Sequence, residues 1–215
     1  NYRRNPNEKI NYFHKNFAAS AQAMANRGIV KIFKYARNLS KFKGKVCFVG
    51  GVAQNCTAVK EILYSKLFDE IYIPPNPSDR GLPMGCAYLG ALHLKQIPKK
   101  LTTPFLGSKY SDTTIKKELQ NNNCKFYKTG NPSKIAANLL AKGKIIGWFQ
   151  GRSEIGERAL GNRSILADPR KKNMKKILNS KIKYREEFRP FAPSVLEGDA
   201  EIYFKTLGHK IPFMN

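Results

Sequence analysis

Apolar side chains recur at three- and four-residue steps early in the chain, at Phe13, Phe17, Ala21, Met24, Gly28, Ile32 and Tyr35. That spacing puts them on one face of a long amphipathic helix, predicted over roughly residues 9–39 with a break allowed at Gly28. His14 lies on this helix, and a lone histidine there carries no assigned role. The pattern then changes. Lys45-Val46-Cys47-Phe48-Val49 is a short apolar run suited to a buried strand. It ends in Gly50-Gly51, and either Asn55 or Thr57 can cap the helix that continues through Val59, Ile62, Leu63 and Leu67. Glu70-Ile71-Tyr72-Ile73 reads as a second strand. Pro74-Pro75-Asn76-Pro77-Ser78-Asp79 reads as an extended loop, because proline fixes φ and lacks an N–H. Residues 82–94, with Gly85, Ala87, Gly90 and Ala91, predict a closely packed helix. The order helix, strand, helix, strand, helix implies an α/β layer with a parallel pairing.

Residues 98–104 carry two prolines, charge and no periodicity, and mark a linker between residues 1–97 and 105–215. Beyond it, residues 115–119 read as helical and Lys125-Phe126-Tyr127 as a candidate strand. Pro132-Ser133 opens a helix to Leu140, and residues 144–149 form a strand. A loop then extends to Asp168-Pro169, and a helix covers residues 174–181.

Lys and Arg number 39 against 15 Asp and Glu, a formal charge of +24. A field of that size attracts phosphate esters, nucleotides, nucleic acid or acidic headgroups. The basic residues are spread along the whole chain, however, in pairs such as Lys99-Lys100, Lys116-Lys117, Lys171-Lys172 and Lys175-Lys176. Most of them therefore read as a solvated surface. Cys47, Cys56, Cys86 and Cys124 have neither CxxC spacing nor a histidine at a ligand interval, so all four are expected reduced, in a cytoplasmic protein. No signal peptide opens the chain and no run of 18 apolar residues occurs, so neither secretion nor a membrane span is indicated. Both ends look cut: the first residue is Asn1, and the last five stop without a helix or tail signature.

Two constellations carry candidate chemistry. Gly50-Gly51-Val52-Ala53-Gln54-Asn55 sits between a strand and a helix, where glycines let a backbone approach a ligand and the helix-start amides suit a polar or anionic group. A tight strand-to-helix turn needs glycine for structural reasons alone, and the two readings are evenly matched. The second runs from Gly151 to Ser164 and includes Arg152, Glu154, Glu157, Arg158, Asn162 and Arg163. Three arginines and three glycines share this loop. Guanidinium forks fit phosphate oxygens, and glycines let a loop fold round an anion so that backbone amides join in. Lys183, Arg185 and Arg189 follow, the last framed by Phe188, Pro190 and Phe191, which suggests an arginine held in place.

Trp148-Phe149-Gln150-Gly151-Arg152 through Asp168-Pro169-Arg170, with residues 188–196, resembles the signature of the O-carbamoyltransferases of antibiotic and nodulation-factor biosynthesis. The Gly-Gly-Val-Ala-Gln-Asn turn and the Pro-Ser-Asp-Arg-Gly loop are similar to the same family's other domain, and Glu157 departs from the proline many members carry. The resemblance implies an α/β protein in two parts. The first would be the second lobe of a Kae1-like domain of the actin, Hsp70 and sugar-kinase fold. The second would be a partial YrdC-like α/β domain. It further implies that carbamoyl phosphate and ATP give carbamoyl-adenylate and pyrophosphate in the YrdC-like domain. The carbamoyl group then passes to a substrate hydroxyl in the Kae1-like domain with help from a divalent metal ion, iron or magnesium.

By the same resemblance, Arg158, Lys183 and Arg189 hold carbamoyl phosphate, and Arg152, Asn162, Arg163 and Ser164 line the pocket. Gly50, Gly51 and Asn55 contact the adenosine of ATP, and Asp79 is a metal ligand. The histidine pair expected of the first lobe has no match in the chain, and the YrdC-like domain is expected to run past Met214, so the isolated chain is expected to be inactive. The implied partners are carbamoyl phosphate, ATP and a hydroxyl-bearing small molecule or sugar. No membrane partner is implied, nucleic acid is disfavoured, and a homodimer stays open. The alternative is a nucleotide- and tRNA-binding protein like those of tRNA threonylcarbamoylation, motivated by the charge. A non-catalytic nucleic-acid module ranks last.

Overall fold

The structure is a computed structural model that describes residues 4–5, 8–99 and 101–214. They divide into two compact units, one ending at Lys95 and one spanning Gln96–Met214.

In the first unit, α1 (Tyr12–Ser40) runs without a break through Gly28. Asn11 caps it: its side-chain oxygen accepts the His14 amide at 3.2 Å, and His14 Nδ1 accepts the Asn11 amide at 3.1 Å. His14 thus closes a capping box, a role its sequence position did not reveal. The apolar stripe is real, but it is not the packed face. Phe13, Phe17, Met24, Ile32 and Tyr35 are exposed, whereas Phe33 is buried. Phe33 lies two residues from Tyr35, about 200° round the helix. It meets Phe48 and Phe68 edge-on at ring-centroid distances of 5.1 and 6.0 Å. Periodicity shows which residues share a face; it does not show which face another element covers.

β1 (Lys45–Cys47) pairs parallel with β2 (Glu70–Tyr72), Val46 opposite Ile71. Between them come a 3₁₀ turn (Gly51–Gln54) and α2 (Cys56–Ser65), capped by Asn55 rather than Thr57. Ala53, Val59 and Ile73 form the core, with Phe48, Leu63 and Ile71 packed against it. The expected buried strand is only half covered. Cys47 and Tyr72 are exposed, because alternate side chains of a two-stranded sheet face away from its one packed side. A second 3₁₀ turn (Asp79–Gly81) leads into α3 (Leu82–His93). Close packing of α3 is not observed: none of its residues is buried, and nothing lies within 4 Å of a Cβ placed at Gly85 or Gly90.

The second unit holds α4 (Asp112–Asn121), capped by Ser111, and α5 (Pro132–Ala141), capped by Asn131. β3 (Ile146–Phe149) pairs antiparallel with β4 (Arg163–Leu166), Trp148 opposite Ser164 and Phe149 opposite Arg163. The loop expected up to residue 168 therefore contains a strand, formed because the glycine-rich segment turns back along β3. Residues 125–127 have no strand pairing and remain irregular. The expected helix over 174–181 is a single α turn, α6 (Met174–Ile177), continued by a π turn (Leu178–Ile182). A 3₁₀ turn (Glu197–Asp199) and α7 (Ala200–Tyr203) follow. Pro104 is buried and its carbonyl accepts the Ile155 amide at 2.8 Å, so the end of the expected linker is part of this unit. Among the described residues no helix is long and apolar enough to cross a membrane.

Candidate functional site

In the first unit, the glycine turn and the proline loop meet where β1 and β2 end. The Gly50 amide donates to the Pro77 carbonyl at 2.7 Å. Gly50 has φ 97° and ψ 162°, a conformation essentially reserved for glycine. Nothing lies within 4 Å of a Cβ placed at Gly50 or Gly51, so a ligand can approach both backbones. In open α/β sheets this carboxyl edge is where ligands bind. Asn55 is more committed. Its Oδ1 accepts from the Ala58 amide (3.2 Å), Thr57 Oγ1 (2.8 Å) and Gln22 Nε2 (3.2 Å), and its Nδ2 donates to Gln22 Oε1. These bonds explain Asn55 as a cap and as the tie to α1. Asp79 is exposed at the start of its 3₁₀ turn. Among the described residues no group of three His, Cys, Asp or Glu side chains could hold a metal ion. Asp79 alone does not supply enough ligands for a metal centre.

In the second unit, residues 150–162 join β3 to β4 around one carboxylate. Glu154 Oε1 accepts the amides of Leu160 (2.8 Å), Asn162 (2.8 Å) and Arg163 (3.2 Å). The anion inside this part of the loop is the protein's own carboxylate, so these three amides already have their acceptor. Burial pushes the Glu154 carboxyl up. The amides of Leu160, Asn162, Glu154 itself and Arg163 outweigh burial and hold it below its ordinary value. The arginines of the loop differ in their freedom. Arg163 stacks 3.5 Å over the Phe149 ring and donates to the carbonyls of Gln150, Asn162 and Gly151, which makes it a brace. Arg152 Nη1 reaches the Gly107 carbonyl at 3.1 Å. Asn162 Nδ2 donates to the Arg152 carbonyl at 2.7 Å, and Ser164 Oγ accepts the Gly161 amide at 3.1 Å. Arg158 is half-buried, and its Nε is buried with no hydrogen-bond partner.

After β4, Asp168 is buried and clamped by Arg170 through Nε–Oδ1 at 2.9 Å and Nη2–Oδ2 at 2.8 Å. The Arg170 side chain, then its amide, hold the Asp168 carboxyl at about 2. Residues 183–191 then curl round Asn179, which is fully buried. Lys183 is exposed, and its amide donates to the Leu178 carbonyl at 2.8 Å. Arg189 pairs with Glu186, Nε to Oε2 at 2.8 Å. Arg185 stacks 4.7 Å over the Phe191 ring and donates to Asn179 Oδ1 at 2.7 Å.

Among the described residues, no hydrogen bond or ion pair joins Arg158, Lys183 and Arg189. An open groove of 680 Å³ is lined by Ser180, Tyr184, Arg185 and Glu186, and an apolar cavity of 340 Å³ lies under Tyr110 and Phe149; neither includes any of the three. Arg152, Asn162, Arg163 and Ser164 are brought together, largely as the loop's own framework. Sequence reasoning missed Glu154 as the centre of this loop and Asn179 as the centre of the 183–191 arm. An acid set among arginines and glycines was a usable signal for Glu154; nothing local distinguished Asn179.

Comparison with known proteins assigns these two halves. Residues 2–88 match the family model described as carbamoyltransferase N-terminus, and residues 137–215 match carbamoyltransferase C-terminus. Nodulation protein NolO of Bradyrhizobium diazoefficiens is 37% identical over 210 residues, covering 94% of this chain and 38% of its own length. Nodulation protein NolNO of Sinorhizobium fredii is 37% identical over 212 residues, covering 94% of this chain and 31% of its own length. Nodulation protein U of Rhizobium fredii is 34% identical over 179 residues, covering 83% of this chain and 28% of its own length. The chain thus spans only 28–38% of the length of these relatives. With residues 2–88 and 137–215 matched in order, and the arginine-glycine loop inside the second range, the chain belongs to the carbamoyltransferase family.

Proposed function

We propose that this chain serves ATP-dependent O-carbamoyl transfer. Carbamoyl phosphate is hydrolysed by water to carbamate and phosphate, and the carbamate oxygen attacks the α-phosphorus of ATP to give carbamoyl adenylate and pyrophosphate, in a YrdC-like second unit. The substrate hydroxyl then attacks the carbamoyl carbon in a Kae1-like first unit, and AMP leaves as the hydroxyl gives up its proton. The observation that carries this reading is the buried Nε of Arg158, which has no partner in a loop whose Leu160, Asn162 and Arg163 amides are taken by Glu154. A buried donor without an acceptor costs about 1–3 kcal/mol. A phosphate or carbamoyl oxygen set beside Arg158 recovers that cost and is held by a charge-assisted bond. Lys183 and Arg189 are the further cations of this proposal. Their task is to neutralise phosphate charge and orient the carbonyl for attack. Gly50 and Gly51 leave open backbone for the nucleotide.

The test is calorimetry with carbamoyl phosphate on the wild-type chain, Arg158→Ala and Arg189→Ala. Loss of one charge-assisted bond is worth about 1.5–3 kcal/mol, so each variant is expected to bind roughly 10- to 100-fold more weakly. Equal affinities in all three proteins refute the reading. The isolated chain, spanning 38% of its relative NolO, is expected to bind the donor without turning it over; measurable turnover refutes that part. The +24 charge favours a second reading, tRNA binding, whose signature is micromolar affinity falling steeply with salt.

A further inference from the structure

We infer that Asn179 is a positioning residue for carbamoyl phosphate binding, acting through the arm of residues 183–191. The inference rests on the functional reading above. Asn179 sits in the π turn Leu178–Ile182 with no solvent exposure. Such turns are rare and concentrate at functional sites. Its Nδ2 donates to two carbonyls of the arm, Glu187 at 3.3 Å and Arg189 at 3.0 Å. Its Oδ1 accepts Arg185 Nε at 2.7 Å, and its own carbonyl accepts the Arg185 amide at 3.0 Å. One carboxamide therefore holds three points of an arm that would otherwise be a surface loop.

Arg185 extends the same brace. Its Nη2 donates to the Pro190 carbonyl at 3.2 Å, and its guanidinium covers the Phe191 ring. Arg185 is thereby removed from the set of free cations, whereas the exposed Lys183 and Arg189 side chains remain at either end of the braced segment. Pulling the carbonyls of residues 187 and 189 inward fixes the backbone from which Arg189 projects. The nearby Glu186 carboxylate takes Arg189 Nε at 2.8 Å, so the guanidinium keeps its two terminal nitrogens for a ligand. The side chain needed at position 179 is a buried group that donates twice and accepts once. Asparagine does this without a charge; aspartate cannot donate while ionised.

The test uses Asn179→Asp and Asn179→Ala in the same chain, read in two ways. Hydrogen exchange follows the amides of Lys183, Arg185 and Arg189, which donate to the carbonyls of Leu178, Asn179 and Glu186, with the β3–β4 amides as an internal reference for folding. Calorimetry follows carbamoyl phosphate. Both variants are expected to exchange at least tenfold faster at the three arm amides with β3–β4 unchanged, and to bind carbamoyl phosphate at least tenfold more weakly. Asn179→Asp is further expected to approach wild type as pH falls and the new carboxyl gains a proton it can donate, while Asn179→Ala does not. Wild-type affinity in both variants overturns the positioning role and leaves the functional reading standing. A wild-type chain that binds no carbamoyl phosphate overturns the functional reading. The exchange comparison then still decides the bracing role, which unchanged arm amides in both variants would overturn. If Asn179→Ala fails to fold, the near-isosteric Asn179→Asp carries both readouts.

Discussion

Replacing Glu154 tests whether the arginine-glycine loop is folded round its own carboxylate. Glu154→Ala removes the acceptor of three backbone amides, those of Leu160, Asn162 and Arg163. At about 1 kcal/mol net per hydrogen bond, the loss is on the order of 3 kcal/mol, less whatever water restores at this half-exposed site. Glu154→Gln keeps an oxygen but loses the charge; since a neutral acceptor is roughly half as strong, about 1–1.5 kcal/mol is lost. For a domain of this size each kcal/mol corresponds to roughly 4–8 °C in melting temperature. Trp148, the one tryptophan of the chain, lies in β3 opposite Ser164 and reports the unfolding of this hairpin by fluorescence in urea. The pH dependence has a definite sign. The folded carboxyl sits below its ordinary value of 4.5. Its contribution is therefore complete above pH 4.5 and disappears as pH falls through the folded value. Wild type and Glu154→Gln should differ at pH 7 and converge in acid. A Glu154→Ala protein within about 0.5 kcal/mol of wild type at pH 7, or a Gln variant whose deficit persists in acid, refutes the reasoning.

Further outcomes follow at Asp168 and at the Gly50-Gly51 turn. Asp168 is held at about 2 against an ordinary 3.8, so its clamp with Arg170 stabilises the protein above pH 3.8 and fails as pH falls toward 2; Asp168→Asn should lower the urea midpoint at neutral pH and match wild type near pH 2. Gly50→Ala forces a β-carbon into a glycine-only conformation and should cost about 1–3 kcal/mol, whereas Gly51→Ala, without positive φ and facing open space, should leave stability within about 0.5 kcal/mol. If the turn receives a nucleotide, Gly51→Ala weakens ATP binding measured by calorimetry; unchanged ATP affinity removes Gly51 from the site.

The sequence by itself determined the local elements and the family. Asn55, one of the two caps the sequence allowed, caps α2 because a short polar side chain before an apolar run can satisfy the first free amides, and that chemistry is read within a few residues. Parallel pairing of β1 and β2 followed from the helix between them. The motif pattern of the arginine-glycine loop was enough to name the family.

Only the tertiary structure decided which face of α1 is packed, that residues 163–166 return as a strand along β3, and which cations are free. Arg163 and Arg158 look alike in the sequence, yet one is fastened to three carbonyls and a ring while the other keeps a buried nitrogen without a partner. The physical reason is the range of the interactions. Caps and turns close between near neighbours. A guanidinium's partners, and the element that covers an apolar stripe, come from distant residues whose arrival no local spacing encodes.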